Sequence, residues 1–237
     1  MQKRGEKIFV NIFVNVIICL VIISIFSFSL AGDIFVFASA EIDKPIYKGD
    51  EQKNNVSLMF NVYQGTEYID GILSVLQKNN VNATFFVGGS WVSKNESVLK
   101  KIADTQNEIG NHGFLHRDHE KISFDKNKEE IELCHDIVYK TIGQKMTLFA
   151  PPSGAYSSAT LNVAKQLGYK TIMWSKDTID WRDHDRSVIF KRATKNLSNG
   201  DLVLMHPTKE TLESLNDIII EIKRQNFNIV TVSENIE

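Results

Sequence analysis

The chain has 237 residues, of which 43% are hydrophobic and 24% are charged, as is usual for a globular protein with one substantial domain. Its formal net charge of −2 gives no indication of a nucleic-acid partner, because nucleic-acid-binding domains carry a clustered basic excess. Only Cys134 of the two cysteines lies beyond residue 40. A disulfide within residues 41–237 is therefore excluded.

The N-terminal segment has the composition of an export signal. Three basic residues precede a stretch from Ile8 to Leu30 that is almost wholly apolar, and about 20 apolar residues suffice to span a bilayer. Ala-Ser-Ala at 38–40 has the form of a signal-peptidase site. We predict that residues 1–40 are a signal peptide or a retained membrane anchor. The positive end comes first, so the rest of the protein is predicted to be extracellular or in the cell envelope.

The remainder consists of a polar segment, 41–53, predicted to be a linker, and a domain at 54–237. Within that domain, short apolar runs alternate with amphipathic helical patterns, which implies parallel strands joined by crossover helices. This alternation fits a barrel and an open doubly wound sheet equally well, and in both the residues after the strands converge on one site. The apolar runs lie at 56–60, 83–89, 108–111, 146–151, 170–175, 201–206 and 227–232.

The first apolar run lies in the stretch SLMFNVYQGTEY, residues 57–68. It reads as a buried strand that ends in a turn, the usual place for a catalytic carboxylate in a hydrolase built on parallel strands. This strand ends instead in Asn61 and Val62, and the first acidic residue is Glu67.

Two further motifs follow the next strands. His112 and His116 have i, i+4 spacing, which predicts that both imidazoles lie on one side of a helical turn, close enough to share a metal ion. The sequence APPSG at 150–154 predicts a strand followed by a rigid turn, whose backbone N–H groups could face an oxyanion. Paired surface histidines and tight turns are also common without any function, and His119 nearby is expected to be solvent-exposed.

The last motifs combine carboxylates with a histidine. Asp177 and Asp180 stand beside Trp181, and His206 ends an apolar strand. A carboxylate beside that histidine would orient its ring and raise its basicity. Taken alone, the acidic pair fits a loop with a helix cap and a packed tryptophan equally well.

In this order and with these separations, the motifs resemble the polysaccharide deacetylases, carbohydrate esterase family four, also called the NodB-homology fold. The resemblance covers residues 54–236 and is closest in NATFFVGG (82–89) and EIGNHGFLH (108–116). It implies an α/β fold, a distorted (β/α) barrel with fewer than eight strands. It also implies hydrolysis of acetyl groups, assisted by a divalent metal such as zinc or cobalt. The implied partner is a cell-wall polysaccharide, either peptidoglycan or a chitin-like N-acetylglucosamine polymer.

The resemblance assigns a role to each motif. It implies that His112 and His116 bind the metal, that His206 is the general acid and that Asp180 orients it. Asn61 falls at the position of the catalytic base. Trp181 matches the wall of the substrate groove, and the turn that supplies oxyanion contacts matches Pro151, Pro152, Ser153 and Gly154.

Three departures affect the chemistry. The family motif T-F-D-D-G matches the stretch from Met59, so that its base is Asn61 and its metal-binding aspartate is Val62. An amide cannot take a proton from water near neutral pH. The arginine of R-P-P-Y-G is Ala150, a consistent loss because an arginine beside a neutral asparagine would be an unpaired buried charge. A first motif with Asn61 and Val62 in place of the two aspartates resembles the first motifs of sporulation-associated members of the family.

Two main hypotheses follow. The first is an exported deacetylase whose activity is weak or depends on a substitute base. Glu67 and Asp177 are the candidates for that base, but the motif spacing supports neither, and Glu67 fits a carboxylate at a helix start equally well. The second is a catalytically inactive glycan-binding module that uses the same groove, lined by Trp181 and also by Tyr68 and Trp91. A third possibility is a structural partner in an envelope or spore assembly.

Overall fold

The computed structural model describes residues 15–24 and 44–237, and the chain divides into two compact units after Glu41. In the first unit, residues 15–24 are helical. Among the described residues, no helix combines the length and the apolar character needed to cross a bilayer. The predicted signal or anchor otherwise lies outside the described residues and stays a prediction.

The second unit is built on a parallel sheet, as the alternation predicts. Seven strands are paired in the order β5-β4-β3-β2-β1-β7-β6, and β8 pairs with the first residues of β1. Every strand pair is parallel. The predicted distorted (β/α) barrel is confirmed, as a half-barrel with β5 and β6 at its ends. The expectation of fewer than eight strands is wrong, because the short β8 beside β1 adds an eighth strand. The strands are β1 (Asn55–Val62), β2 (Thr84–Val87), β3 (Glu108–Asn111), β4 (Leu148–Phe149), β5 (Lys170–Thr171), β6 (Lys176–Asp177), β7 (Leu202–Met205) and β8 (Asn228–Ile229).

Helices connect these strands across the outside of the sheet. The amphipathic patterns in the sequence, at 68–76, 98–102, 161–167 and 212–222, correspond to α1, α3, α5 and α8. The longest helix, α4, shows no clear apolar period because its buried face includes Asn127 and Glu130. The helices are α1 (Ile69–Lys78), α2 (Gly89–Val92), α3 (Glu96–Asp104), α4 (Phe124–Ile142), α5 (Ser158–Gln166), α6 (Asp180–Asp183), α7 (Arg186–Thr194), α8 (Lys209–Arg224) and α9 (Val232–Ile236).

Two hydrophobic clusters lie on opposite faces of the strands. The larger one includes Phe60 and Val62 and packs between the sheet and the helices, whereas a smaller one that includes Met59 and Leu204 fills the barrel interior. Because side chains alternate along a strand, the residue two positions beyond Met59 also faces the interior, and that residue is Asn61. The strand period therefore directs functional side chains into the barrel mouth. Because this unit contains both hydrophobic clusters, we expect it to fold on its own, and residues 41–237 can be studied as a separate protein.

Part of the predicted linker is built into this unit. The Ile46 N–H donates to the Thr171 carbonyl oxygen at 2.9 Å, and Met173 N–H donates to the Ile46 carbonyl oxygen at 2.8 Å. Three residues later, the Gly49 N–H donates to the Gly200 carbonyl oxygen at 2.7 Å. From Ile46 onwards, the segment lies against β5 and the residues before β7.

Candidate functional site

A cavity of about 290 Å³ opens at the carboxyl ends of the strands. It brings together six side chains to which the sequence analysis assigns roles, together with Asp177 as a candidate base. Leu204 and two aromatic residues, Tyr63 and Trp174, complete its wall. The lining residues are Asn61, Tyr63, His112, His116, Ser153, Trp174, Asp177, Trp181, Leu204 and His206.

The position of the catalytic base is held by a neutral, buried amide. Asn61 is 3% exposed, and its Oδ1 has no hydrogen-bond partner among the described residues. A buried acceptor without a partner costs about 1–3 kcal/mol. The adjacent Val62 is fully buried in the cluster between strands and helices. Neither side chain can take a proton from water or bind a metal through a carboxylate.

His112, directly after β3, is locked in one tautomer. Its Nδ1 lies 2.7 Å from the carbonyl oxygen of Ala150, and because a carbonyl only accepts hydrogen bonds, Nδ1 carries the proton and Nε2 keeps its lone pair. Burial, and to a lesser extent the nearby His116, hold the pKa of His112 well below its usual range. His112 is therefore a neutral imidazole near pH 7.

The two histidines do not lie on a helix, so the predicted helical turn is wrong. The segment 112–118 is irregular, and it reverses direction through left-handed residues, Gly113 with φ 71° and His116 with φ 56°. The two rings nevertheless come close, with centroids 5.1 Å apart. Burial lowers the pKa of His116 as well, so that both rings are neutral near pH 7.

A buried carboxylate holds this irregular loop. Glu130 Oε2 accepts the backbone N–H groups of Phe114 and Leu115 at 2.9 and 2.7 Å, and Oε1 accepts the Arg117 Nε–H at 3.1 Å. His119, which was expected to be solvent-exposed, is fully buried, with Nδ1 2.7 Å from Oδ1 of Asn127. These contacts replace the helical hydrogen bonds that the i, i+4 spacing suggested.

On the opposite side of the cavity, Asp180 and His206 form a hydrogen-bonded pair. Asp180 is fully buried, and its Oδ1 accepts the His206 Nδ1–H at 2.8 Å and the Trp181 backbone N–H at 3.0 Å. Its Oδ2 accepts the His206 backbone N–H at 2.6 Å and the Thr211 hydroxyl at 2.5 Å. Because Nδ1 is engaged, Nε2 is the nitrogen that His206 can offer to a ligand.

The turn at 151–154 contributes less than the resemblance implies. Pro151 and Pro152 are buried and do not line the cavity, whereas Ser153 does. The Gly154 N–H donates to the Pro151 carbonyl oxygen at 3.0 Å, so it is not free to hold an oxyanion. A Cβ on Gly154 would lie 2.8 Å from the Trp174 ring, which gives this glycine a packing role.

The donor set does not fit the zinc or cobalt ion that the resemblance implies. An open catalytic zinc site normally has three protein ligands, but here the third position is Val62. The described residues contain no group of three His, Cys, Asp or Glu side chains that could hold a metal ion. In addition, the Tyr63 ring stacks on His116, with centroids 3.8 Å apart and an interplanar angle of 27°. The two histidines and their neighbours therefore do not form the metal site of the family pattern.

Comparison with known proteins identifies the family. The family model described as polysaccharide deacetylase matches residues 48–172, more than half of the chain. The chain belongs to the polysaccharide deacetylase family. Among curated relatives, the uncharacterized protein YlxY of Bacillus subtilis is 41% identical over 191 residues, which cover 81% of this chain and 60% of YlxY. The peptidoglycan-N-acetylmuramic acid deacetylase PdaA of B. subtilis is 29% identical, over 79% of this chain and 73% of PdaA.

Solved structures of this family include a protein described as a pseudoenzyme. Wild-type BA3943 of Bacillus anthracis, a family-four carbohydrate esterase pseudoenzyme, has a TM-score of 0.80 and 36% identity, and the match covers 82% of this chain and 69% of BA3943. A BA3943 mutant described as having restored enzymatic activity has a TM-score of 0.80 and 34% identity, over 82% and 71% of the two chains. The polysaccharide deacetylase fold thus occurs both with and without catalysis.

Sequence reasoning misplaced or missed several residues of the groove. Trp91 does not line the cavity: it is buried, and its Nε1–H donates to the Gly65 carbonyl oxygen at 2.7 Å. Glu67 is exposed and outside the cavity, and hydrogen bonds from backbone N–H groups lower its pKa. Tyr63 was missed, although it stands at the position of the glycine in the T-F-D-D-G motif. A tyrosine in place of that glycine could have indicated that residue 63 lines the cavity.

Proposed function

We propose that this domain binds N-acetylated cell-wall glycan in the cavity and leaves its acetyl group intact. The observation that carries the proposal lies at the end of β1. There, two buried residues, Asn61 and Val62, stand where the family motif has the catalytic base and a metal-binding aspartate. The relative PdaA is named for peptidoglycan, which supports peptidoglycan as the glycan. We further propose that residues 1–40 direct the domain to the outside of the cell, where this polymer lies.

The cavity has the surface that a sugar requires. Trp181 is 55% exposed at its edge, and Trp174 is partly buried in its wall. Aromatic faces pack against the C–H faces of pyranose rings, while Ser153, Asp177 and His206 can exchange hydrogen bonds with hydroxyl groups. A volume of about 290 Å³ lies at the lower end of the range for ligand sites, which suits one or two sugar rings rather than a long stretch of polymer.

Slow hydrolysis is the alternative, and the retained His206–Asp180 pair is the observation that favours it. The pair would supply a general acid, and Asp177 is the remaining carboxylate in the cavity. One Asp177 oxygen, however, already accepts the Ile179 N–H at 2.8 Å. Acetate release from peptidoglycan and from N-acetylglucosamine oligomers by residues 41–237, with and without added zinc or cobalt, tests the proposal. Binding without acetate release is the expected result.

Removing the exposed tryptophan should weaken glycan binding. Trp181→Ala deletes the aromatic edge of the cavity, and we expect affinity for acetylated peptidoglycan fragments to fall about tenfold, the equivalent of ~1.4 kcal/mol of stacking and burial. Calorimetric titration of residues 41–237 measures this change. Tyr139→Ala is a matched control, since Tyr139 is also about half exposed but lies outside the cavity. Equal affinity of wild type and Trp181→Ala would rule out the groove as the binding site.

Metal content provides a separate measurement. With two histidines in place of three ligands, residues 41–237 should retain less than one equivalent of zinc or cobalt after dialysis against the metal and then against buffer. Inductively coupled plasma spectrometry reports the ratio. If one equivalent stays bound and His112→Ala removes it, the two histidines form a working metal site and the proposal of a metal-free groove is wrong.

A further inference from the structure

The floor of the cavity is aromatic where the family motif has a glycine. Tyr63 projects a ring between the strand end and the histidine loop, stacked on His116 at 3.8 Å and tilted against His112 at 6.2 Å. The His112 and His116 rings themselves lie with centroids 5.1 Å apart. This end of the cavity is therefore a surface of three aromatic rings, suited to an apolar group such as a methyl.

A second, independent feature adjoins these rings. The Asn61 side chain lines the cavity, is almost completely buried, and has an oxygen with no partner among the described residues. A carboxamide offers both an acceptor oxygen and an N–H donor, and rotation about its terminal bond is comparatively free. Asn61 is thus an unpartnered hydrogen-bonding group that a ligand can satisfy.

We propose that Asn61 and Tyr63 form a subsite that recognises an intact acetamido group of the glycan. The Asn61 carboxamide accepts the acetamide N–H or donates to its carbonyl oxygen, and the acetyl methyl packs on Tyr63 and His116. This inference rests on the proposed function and extends it. The domain would distinguish acetylated glycan from glycan whose amino groups have already been deacetylated.

The chemistry of the floor favours an amide over its alternatives. A free ammonium group would lose hydration and meet only a carboxamide and aromatic rings there, although Asp177 on the wall offers it one carboxylate. An O-acetyl ester has no N–H donor for the Asn61 oxygen. An aspartate at position 61 could accept a hydrogen bond but could not donate one to the acetyl carbonyl.

The test compares two ligands that differ only in their acetyl groups. Calorimetric titration of residues 41–237 with the tetramer of N-acetylglucosamine and with the tetramer of glucosamine, at pH 7.5 and moderate salt, should show at least tenfold tighter binding of the acetylated form. Asn61→Leu and Tyr63→Gly should each bring the ratio of the two affinities close to one. Tyr63→Phe, which keeps the ring, should preserve the ratio.

Controls separate this subsite from the groove as a whole. Trp181→Ala should weaken binding of both tetramers while preserving their ratio, and Tyr139→Ala should change neither affinity. Thermal unfolding of each variant shows whether it is folded. Equal affinity of wild type for the two tetramers, or an unchanged ratio in both Asn61→Leu and Tyr63→Gly, would overturn the subsite alone. Absence of binding to either tetramer and to peptidoglycan would overturn the proposed function and this inference together.

Discussion

A variant of residues 41–237 with Asn61→Asp, Val62→Asp, Tyr63→Gly and Ala150→Arg is expected to release acetate from N-acetylglucosamine oligomers when zinc or cobalt is present. The first change supplies a base, the second a third metal ligand, and the third removes the ring stacked on His116. The fourth pairs a cation with the new base. Since a positioned base alone contributes about 10²–10⁴-fold, we expect a rate at least ~10²-fold above that of the unmodified domain.

Two of these changes, Ala150→Arg and Asn61→Asp, depend on each other. Ala150 is fully buried in the interior cluster, so an arginine placed there without the aspartate would be an unpaired buried charge, at a cost of several kcal/mol. The Ala150→Arg single variant should therefore be markedly less stable than Ala150→Arg with Asn61→Asp. The restored BA3943 mutant indicates that activity can be regained on this fold.

His206, the general acid of the family pattern, provides the control for the acetate-release experiment. His206→Ala in the restored background should abolish acetate release, because the leaving amine then lacks its proton donor. Metal-dependent release by the unmodified domain, lost on His206→Ala, would contradict our proposal. It would show an enzyme with a substitute base, and Asp177→Asn would be the next variant to measure.

Asp180→Ala should lower the free energy of unfolding by about 3–5 kcal/mol, because the substitution removes a fully buried acceptor and leaves its donors without a partner. Those donors belong to His206, Trp181 and Thr211, so Asp180 connects α6, the end of β7 and the start of α8. The residue before it, Ile179, has φ 52°, a strained conformation for a β-branched side chain that these hydrogen bonds help to maintain. Denaturant unfolding followed by circular dichroism measures the effect.

Two comparison variants make this result specific. Asp180→Asn keeps one acceptor oxygen and should cost less than Asp180→Ala. Asp183→Ala removes a carboxylate of the same short helix that pairs with Arg182 and Arg192 nearer the surface, and it should cost much less stability than Asp180→Ala, because solvent screens such pairs. A loss below 1 kcal/mol in Asp180→Ala would show that the network is dispensable for folding.

The loss of stability in Asp180→Ala bears on how the presence of the Asp180–His206 pair is interpreted. An Asp180 that supports three elements is retained for stability whether or not the domain hydrolyses anything. The presence of Asp180 and His206 is therefore weak support for turnover, whereas the loss of a base and of a metal ligand bears directly on the chemistry. For this reason we favour binding over hydrolysis.

The sequence by itself determined the parallel sheet and the end of it that carries the site. Apolar runs separated by helical patterns leave few other arrangements, and the two-residue period of a strand places Asn61 and His206 inside the barrel mouth. The chemical losses at Asn61, Val62 and Ala150 are also readable from the sequence, because they depend on residue type alone.

Only the tertiary structure decided how the two sides of the site are built. The i, i+4 spacing of His112 and His116 suggested a helix, but Glu130, 14 residues beyond His116, holds them on an irregular loop. The stacking of Tyr63 on His116 joins two segments that are far apart in the chain, and so do the hydrogen bonds from His206 to Asp180. Local periodicity reports which face a side chain occupies, whereas contacts between distant segments depend on how the strands and loops pack.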